Sequence, residues 1–374
     1  MSLPASADIV IIGAGVSGLA TALPLVKAGR EVLVLDKGAP WSDASGANAG
    51  TLSVQVKRRE ALRPTRDAIQ LWERMGEDYG IDVGFVRPGG LRVATTDREV
   101  EHLRKAVGEQ QGEGIEVEFL QPNALRAMAP WLGPDVKAAS FCAWDAYSSP
   151  LAAGHAMIAG ARALGATIEG NAAVTAIRRD RKQPHGGYVL ETSKGTVRAG
   201  DVVDAAGAWA GDIAAMLEAR FPVEVDVNML TVTEPAPPLV DRVVTHAGGI
   251  LSVKQYPNGT YLIGGGWQGR GSVEAGTREI DYERFIHNMR VAARVVPALA
   301  ELRIVRSWAG YEAVAPDALP VMGRLAGHDR AWVLACARGG YSQAPALGAR
   351  LAGMMLNRTE AGDDARFSPQ RFLQ

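Results

Sequence analysis

The chain has 374 residues, 47% of them apolar, with 40 Lys and Arg against 41 Asp and Glu, a formal net charge of -1. That balance excludes the basic field of a nucleic-acid binder and any polyanionic tail. The length allows one large domain, or two that share an interface. Cys142 and Cys336 lie too far apart for a C-x-x-C pair, and the six histidines form no H-x-H or H-E-x-x-H. A dithiol redox centre is therefore excluded, no metal is expected, and a reducing, cytoplasmic setting fits.

The first element is "DIVIIGAGVSG". Residues 7–12 read as a buried strand, 13–28 as a turn and helix, and 31–35 ("EVLVL") as a second strand, which together make a βαβ unit. Residues 9–26 carry no charge and imitate a membrane span in length. However, Asp8 precedes them without a basic leader, and Gly13, Gly15, Gly18 and Pro24 suit no continuous helix, so no transmembrane segment is expected. Gly13 would permit the sharp turn, Gly15 the approach of a pyrophosphate, and Gly18 the close packing of helix on strand. The phosphates would then meet the unpaired amides of the helix start. Asp36 follows about 20 residues on, placed to accept from a ribose hydroxyl. Pro24 should kink the helix. An acid at 36 argues against a 2′-phosphate but does not separate NAD from FAD.

Residues 40–55 ("PWSDASGANAGTLSVQ") replace the next crossover helix of an NAD domain with small hydroxyl, amide and glycine residues. Residues 82–94 and 223–267 show short alternating runs that predict an antiparallel sheet, with Pro257-Asn258-Gly259-Thr260 as a turn between two strands. Residues 199–217 predict a strand ending in Ala205-Ala206-Gly207, small enough to let a strand end meet a cofactor. Residues 308–323 ("WAGYEAVAPDALPVMG") and 331–356 predict a strand, the pair Gly339-Gly340, and a helix whose start can face an anionic ring edge.

The segments "GAGVSG…VLVLDKG", "ASGANAGTL", "VVDAAGAWA", "WAGYEAVAPDALPVMG" and "ARGGYSQAPALG", in that order, resemble the FAD-dependent D-amino acid oxidase, glycine oxidase and sarcosine oxidase superfamily. They are most similar to the β (flavin) subunits of amino-acid or opine dehydrogenases. The resemblance implies an α/β fold of the glutathione reductase type: a Rossmann-like FAD-binding domain (1–81, 145–222 and 305–374) and an antiparallel-sheet substrate domain (82–144 and 223–304). It implies FAD contacts at Gly13, Gly15, Val16, Ser17, Gly18, Asp36 and Lys37. The loop would add Ala44, Ser45, Gly46, Asn48, Ala49, Gly50 and Thr51. Val174 would meet adenine through its main chain, Ala206 and Gly207 would close on the cofactor, and Ala337, Arg338, Gly339, Gly340, Tyr341 and Ser342 would run beside the isoalloxazine ring.

The implied reaction is oxidation of a C–N bond in an amino acid or N-substituted amino acid. Hydride passes to flavin N5, and water hydrolyses the imine. No triad and no catalytic histidine stand out, so no catalytic residue is assigned. Lys254, Gln255 and Tyr256, on the sheet that would roof the flavin, are substrate candidates, the alternative being ordinary strand positions; Tyr341 is a further candidate. The superfamily's G-L-R-P, whose arginine clamps a carboxylate, is replaced by Gly310-Tyr311-Glu312-Ala313. Arg338 is then expected to hold the carboxylate, while Glu312 steadies Arg338 or meets a cationic substrate group. Gly310 stands where monomeric sarcosine oxidases attach FAD through cysteine, so a non-covalent cofactor is expected. The "WAGYEA" stretch favours a dehydrogenase, and a flavin subunit passing electrons to partner subunits is the alternative. A flavin monooxygenase shares the first unit, but "ARGGYSQ" replaces its late G-D motif.

Overall fold

The computed structural model describes residues 3–180, 186–335, 339–357 and 365–373. The chain opens with β1 (Ser6–Ile12), α1 (Val16–Lys27) and β2 (Val32–Leu35), then passes through β3 (Gly90–Ala94), β4 (Val117–Leu120) and β5 (Ala138–Cys142). After α2 (Pro150–Ala163) come β6 (Thr167–Glu169) and β7 (Gly195–Asp204). The chain continues as β8 (Glu224–Thr233), β9 (Val243–His246), β10 (Ser252–Gln255), β11 (Tyr261–Gly264) and β12 (Ile304–Val314). It closes through β13 (Val321–Arg324), β14 (Ala331–Ala335) and α3 (Gly340–Met355).

The first sheet runs β13-β14-β7-β1-β2-β6, and the strands Val174–Arg179 and Tyr188–Thr192 extend it from β7. The pairs β1–β2, β1–β7, β7–β14 and β2–β6 are parallel. Parallel strands bury both faces, which is why "DIVII" and "VLVL" are unbroken apolar runs. Ile12 pairs with Leu35 on one side and Asp204 on the other, so three strand ends finish together. A crevice outside aligned carboxyl ends is where such sheets take ligands.

The second sheet runs β12-β8-β11-β10-β9-β3-β5-β4. It is mixed, because β9 and β3 pair in parallel while its other pairs are antiparallel. The predicted turn is present: Gly259 takes φ +86° and its amide bonds the Tyr256 carbonyl. The expected return to the first unit at 305 falls inside β12, which pairs with β8 from Val314↔Glu224 to Ile304↔Thr233. Only from β13 does the chain rejoin the first sheet. The long ladder with β8 decides this; the local sequence of β12 carries no trace of its partner.

The helix α1 runs from Val16 to Lys27 with Pro24 inside it. Opposite it, α3 crosses so closely that a Cβ at Gly348 would lie 2.5 Å from the carbonyl carbon of Ala20 and 2.6 Å from its oxygen. Proline at 24 leaves that Ala20 carbonyl without its usual i+4 donor, and the bare backbone of α3 packs there. Among the described residues, no helix is long and apolar enough to cross a membrane.

Gly348→Ala should therefore force α1 and α3 apart and cost about 1–3 kcal/mol, read as a lower denaturation midpoint. Gly108→Ala, in an exposed helix where a new Cβ meets nothing within 4 Å, should be neutral or stabilising.

Candidate cofactor and substrate site

A cavity of 910 Å³ opens where the strand ends of the first sheet meet the face of the second. At one end, Gly13 turns the chain with φ +108°, and a Cβ there would run into the Ala205 carbonyl. Gly15, the cap residue of α1, has no side chain to satisfy the helix amides. The Ser45 hydroxyl accepts from Val16 N–H at 2.9 Å, and Gly15, Val16 and Ser17 all line the cavity. The positive end of the helix thus faces the cavity across bare backbone.

Asp36 accepts from Ala14 N–H at 2.8 Å and from Gly38 N–H at 2.9 Å, one bond to each oxygen. Burial pushes its pKa up, and those two amides pull against the shift. Lys37 lies with its ammonium 2.8 Å from the ring centroid of Trp209, and burial lowers its pKa. Asp204, at the end of β7, is fully buried; Oδ1 accepts from Ala206 N–H and Oδ2 meets no partner among the described residues. Burial raises its pKa well above the usual carboxylate range, against the pull of the Ala206 amide.

The other end is built around Gly339, the cap residue of α3, held in the left-handed region with φ 70°. Glu312 Oε1 accepts from Gly339 N–H at 2.6 Å, and Oε2 accepts from the Asn228 amide. Lys57 Nζ donates to the Gly339 carbonyl at 2.8 Å, as does the Ser342 hydroxyl. Above them, Thr245 and Ser252 are cross-strand partners, and the Ser252 hydroxyl bonds that of Thr51 at 2.8 Å. Thr245 Oγ1 and Gln343 Oε1 are buried and meet no partner among the described residues, and both residues line the cavity. Buried polar atoms are seldom left unbonded, and a ligand in the cavity can supply the bond at both.

The cavity wall also includes Ala44, Asn48, Ala49, Val174, Ala206, Gly207, Gly340 and Tyr341, with Ala205 beside them. Other predicted positions do different work. Gly18 packs on Gly13, where a Cβ would strike the Gly13 carbonyl, which is the helix–strand role of the third glycine. Gly46 lies against Trp41, and Gly50 takes φ +66° against the Ser148 carbonyl, so both shape the loop from behind. Ser342 points to the Gly339 carbonyl. Ala337 and Arg338 lie outside the described residues.

Three of the substrate candidates are absent from the wall. Lys254 is fully buried with its ammonium on the Ala49 carbonyl at 2.7 Å. Gln255 bonds Leu239, Val240, Ala236, Pro237 and Gly259. Tyr256 donates to the Ser148 carbonyl at 3.1 Å. Lys254 shares the face of Ser252 but ends on the Ala49 carbonyl, Tyr256 just past β10 ties down the Ser148 backbone, and Gln255, on the opposite face, holds residues 236–240 to the turn at Gly259. Tyr341 does reach the wall, but its hydroxyl is bonded to Ser148 and its ring stacks on Trp72 at 4.9 Å. It anchors the start of α3.

Sequence reasoning missed Lys57, Arg58, Asn228, Thr245, Ser252 and Gln343. Thr245 and Ser252 belong to alternating runs, but which alternate faces the cavity depends on register. Lys57 sits in a loop beyond the small-residue stretch, where nothing local marks it. Among the described residues, no cluster of His, Cys, Asp and Glu could hold a metal ion.

A dinucleotide fits this cavity: bare glycines and helix amides at one end, orphaned buried acceptors at the other. A family model described as FAD dependent oxidoreductase matches residues 8–354. Rat mitochondrial dimethylglycine dehydrogenase is 27% identical over 98% of this chain. That match spans 45% of the rat protein, so the chain has about half the length of such relatives. The sarcosine oxidase subunit beta of Rhizobium meliloti is 27% identical, covering 98% of this chain and 88% of that one. The crystal structure of glycine oxidase from Geobacillus kaustophilus superposes with a TM-score of 0.86 and 27% identity, covering 98% and 99% of the two chains.

Burial drops the Lys254 pKa to about 7 from an ordinary 10.5. Between those values the unfolded chain holds a proton that the folded chain has released, so this residue makes stability rise with pH across that window. Urea midpoints measured across it should climb more steeply for the native chain than for Lys254→Met. Equal slopes would place Lys254 outside a desolvated site.

Proposed function

The chain belongs to the family of FAD dependent oxidoreductases, and on that premise we propose that it oxidises the C–N bond of an amino acid or N-substituted amino acid. The bound FAD supplies the hydride acceptor. The observation that carries this reading is the continuity of one cavity from the start of α1 to the start of α3, roofed by the second sheet. The amides of Gly15, Val16 and Ser17 would hold the pyrophosphate, and Asp36 and Lys37 would hold the adenosine side. Ser45, Asn48, Ala49 and Thr51 would follow the ribityl chain, and Gly339, Gly340 and Tyr341 would flank the ring.

The residues at the reactive end suit a reaction that needs placement more than proton transfer. Glu312 fixes the first amide of α3, Asn228 fixes Glu312, and the Gln268 side chain bonds Asn228 in turn. Locked rotamers hold a C–H bond within transfer distance, and such positioning supplies much of the rate. The second sheet keeps bulk water from the reacting carbon while the roof hydroxyls of Thr245, Ser252 and Thr51 offer polar contacts to the substrate.

The cofactor is held without a covalent bond in this reading. Gly310 offers no thiol, and a side chain there would crowd Ala47 at 2.8 Å. Cys142 is buried in the second sheet with its thiol pushed up to about 12. A second reading, a flavin subunit that passes electrons to partner subunits, draws on the likeness to the sarcosine oxidase subunit beta.

The purified chain should be yellow, release its flavin on acid precipitation, and bleach when mixed anaerobically with a panel of amino acids and N-alkyl amino acids. Reduction of an artificial dye with slow reoxidation by air would mark a dehydrogenase, and rapid reoxidation an oxidase. A chain that takes up FAD but is bleached by no amine would overturn the reaction.

A further inference from the structure

We propose that the hairpin of residues 270–279 is a strap over the cofactor cavity, latched by the ion pair of Arg278 with Asp43. FAD enters and leaves when this latch opens. The inference rests on the reading that this cavity holds FAD, and on nothing about the substrate. The two short strands Arg270–Ser272 and Thr277–Glu279 pair with each other, apart from both large sheets. A two-stranded hairpin is marginal on its own in water, so its position is set by what it is tied to. Its base is fixed beside the second sheet: Gly269 N–H donates to the Val227 carbonyl at 2.6 Å, and Arg270 pairs with Asp281 at 2.9 Å. Past the base, the Tyr311 hydroxyl lies 2.8 Å from both the Ser272 and the Thr277 carbonyls.

Arg278 is the far tie. Its guanidinium meets Asp43 at 2.7 Å, in the loop that would follow the ribityl chain, and lies 5.3 Å from the ring centroid of Tyr311. Arg278 and Asp43 are 235 positions apart in the chain. Asp43 and Tyr311 both line the cavity, and Arg278 stands outside that wall. One side chain thus bridges the cofactor loop and the second sheet across the seam between them. Trp209 packs edge-on to Tyr311 at 5.9 Å and carries Lys37 on its ring, so the bridged seam adjoins the nucleotide end. A cofactor lying lengthwise beneath the seam cannot pass while strap and loop are joined. The pair is only partly buried, with the Arg278 side chain 38% exposed and that of Asp43 31%, and a pair so placed is weak enough to open.

The test follows FAD exchange by flavin fluorescence, with no substrate present, so its outcome is independent of the proposed reaction. The flavin-to-protein ratio is read first: a colourless protein that takes up no FAD overturns the cofactor reading and this inference with it. In yellow protein, Arg278→Gln and Asp43→Asn should each speed FAD release about two- to fivefold. Association with the FAD-free chain should quicken by a similar factor, leaving the dissociation constant within about twofold. The double variant should match either single one, and Arg278→Lys should restore most of the slow exchange. Salt should narrow the gap between the native chain and Arg278→Gln by screening the pair. Hydrogen exchange at 270–279 in the FAD-free chain should quicken in both variants while the denaturation midpoint holds. Unchanged release in Arg278→Gln, unchanged hydrogen exchange in the hairpin, or faster release with unchanged association would each overturn the latch. The last would make Arg278 a plain contact to bound cofactor.

Discussion

The close meeting of main chain at Gly13 governs this molecule. The turn after β1 approaches the Ala205 carbonyl so tightly that a side chain would collide. Gly18 then seats α1 on the Gly13 carbonyl. Together these contacts fix three things: the strand ends finish side by side, the helix amides open outward, and small residues at 205–207 close the floor. Only backbone lies in that junction, so no side-chain choice can tune it. Specificity has to come from elsewhere in the cavity.

It comes from what surrounds the two ends. At the nucleotide end, acids are disarmed in different ways. Burial disfavours the charged form of Asp204, while Asp36 directs its oxygens to two amides, those of Ala14 and Gly38. A cofactor with two phosphates would meet the helix dipole and Lys37 there. At the reactive end the opposite holds: Glu312 and Lys57 address the N–H and C=O of the same residue, Gly339, from different segments of the chain. A glycine in the left-handed region is a weak point of the backbone, and two charged side chains hold it from β12 and from the 53–58 loop.

How much of this the sequence discloses depends on the range of the interaction. The βαβ unit, Asp36 and the turn at 257–260 are legible because the physics is local: glycine spacing, an apolar run, a turn residue with positive φ. The division of labour within the motif is legible too: Gly15 faces the cavity and Gly18 the helix–strand seam, as their spacing implies. Lys254 and Gln255 lie on the roof strand and Tyr256 just past it, yet none lines the cavity: Gln255 takes the face opposite Ser252, while Lys254 shares that face and ends on the Ala49 carbonyl, a contact between distant segments. The membership of β12 in the second sheet and the reach of Lys57 to Gly339 are both set by contacts between segments distant in sequence. No window of residues contains them.

The exchange of an arginine-bearing G-L-R-P for Gly310-Tyr311-Glu312-Ala313 shows why a site is read by its partners and not by its motif. Glu312 cannot clamp an anion, but it binds the amide that opens α3, and helix starts favour negative charge. The cost of that carboxylate is offset by Asn228 and Gln268, which give it a hydrogen-bonded footing in a partly buried wall. Lys57, from a loop that also lines the cavity, donates to the carbonyl of the same residue, Gly339, whose amide Glu312 accepts from, so the start of α3 is held by two side chains of opposite charge from segments far apart in the chain.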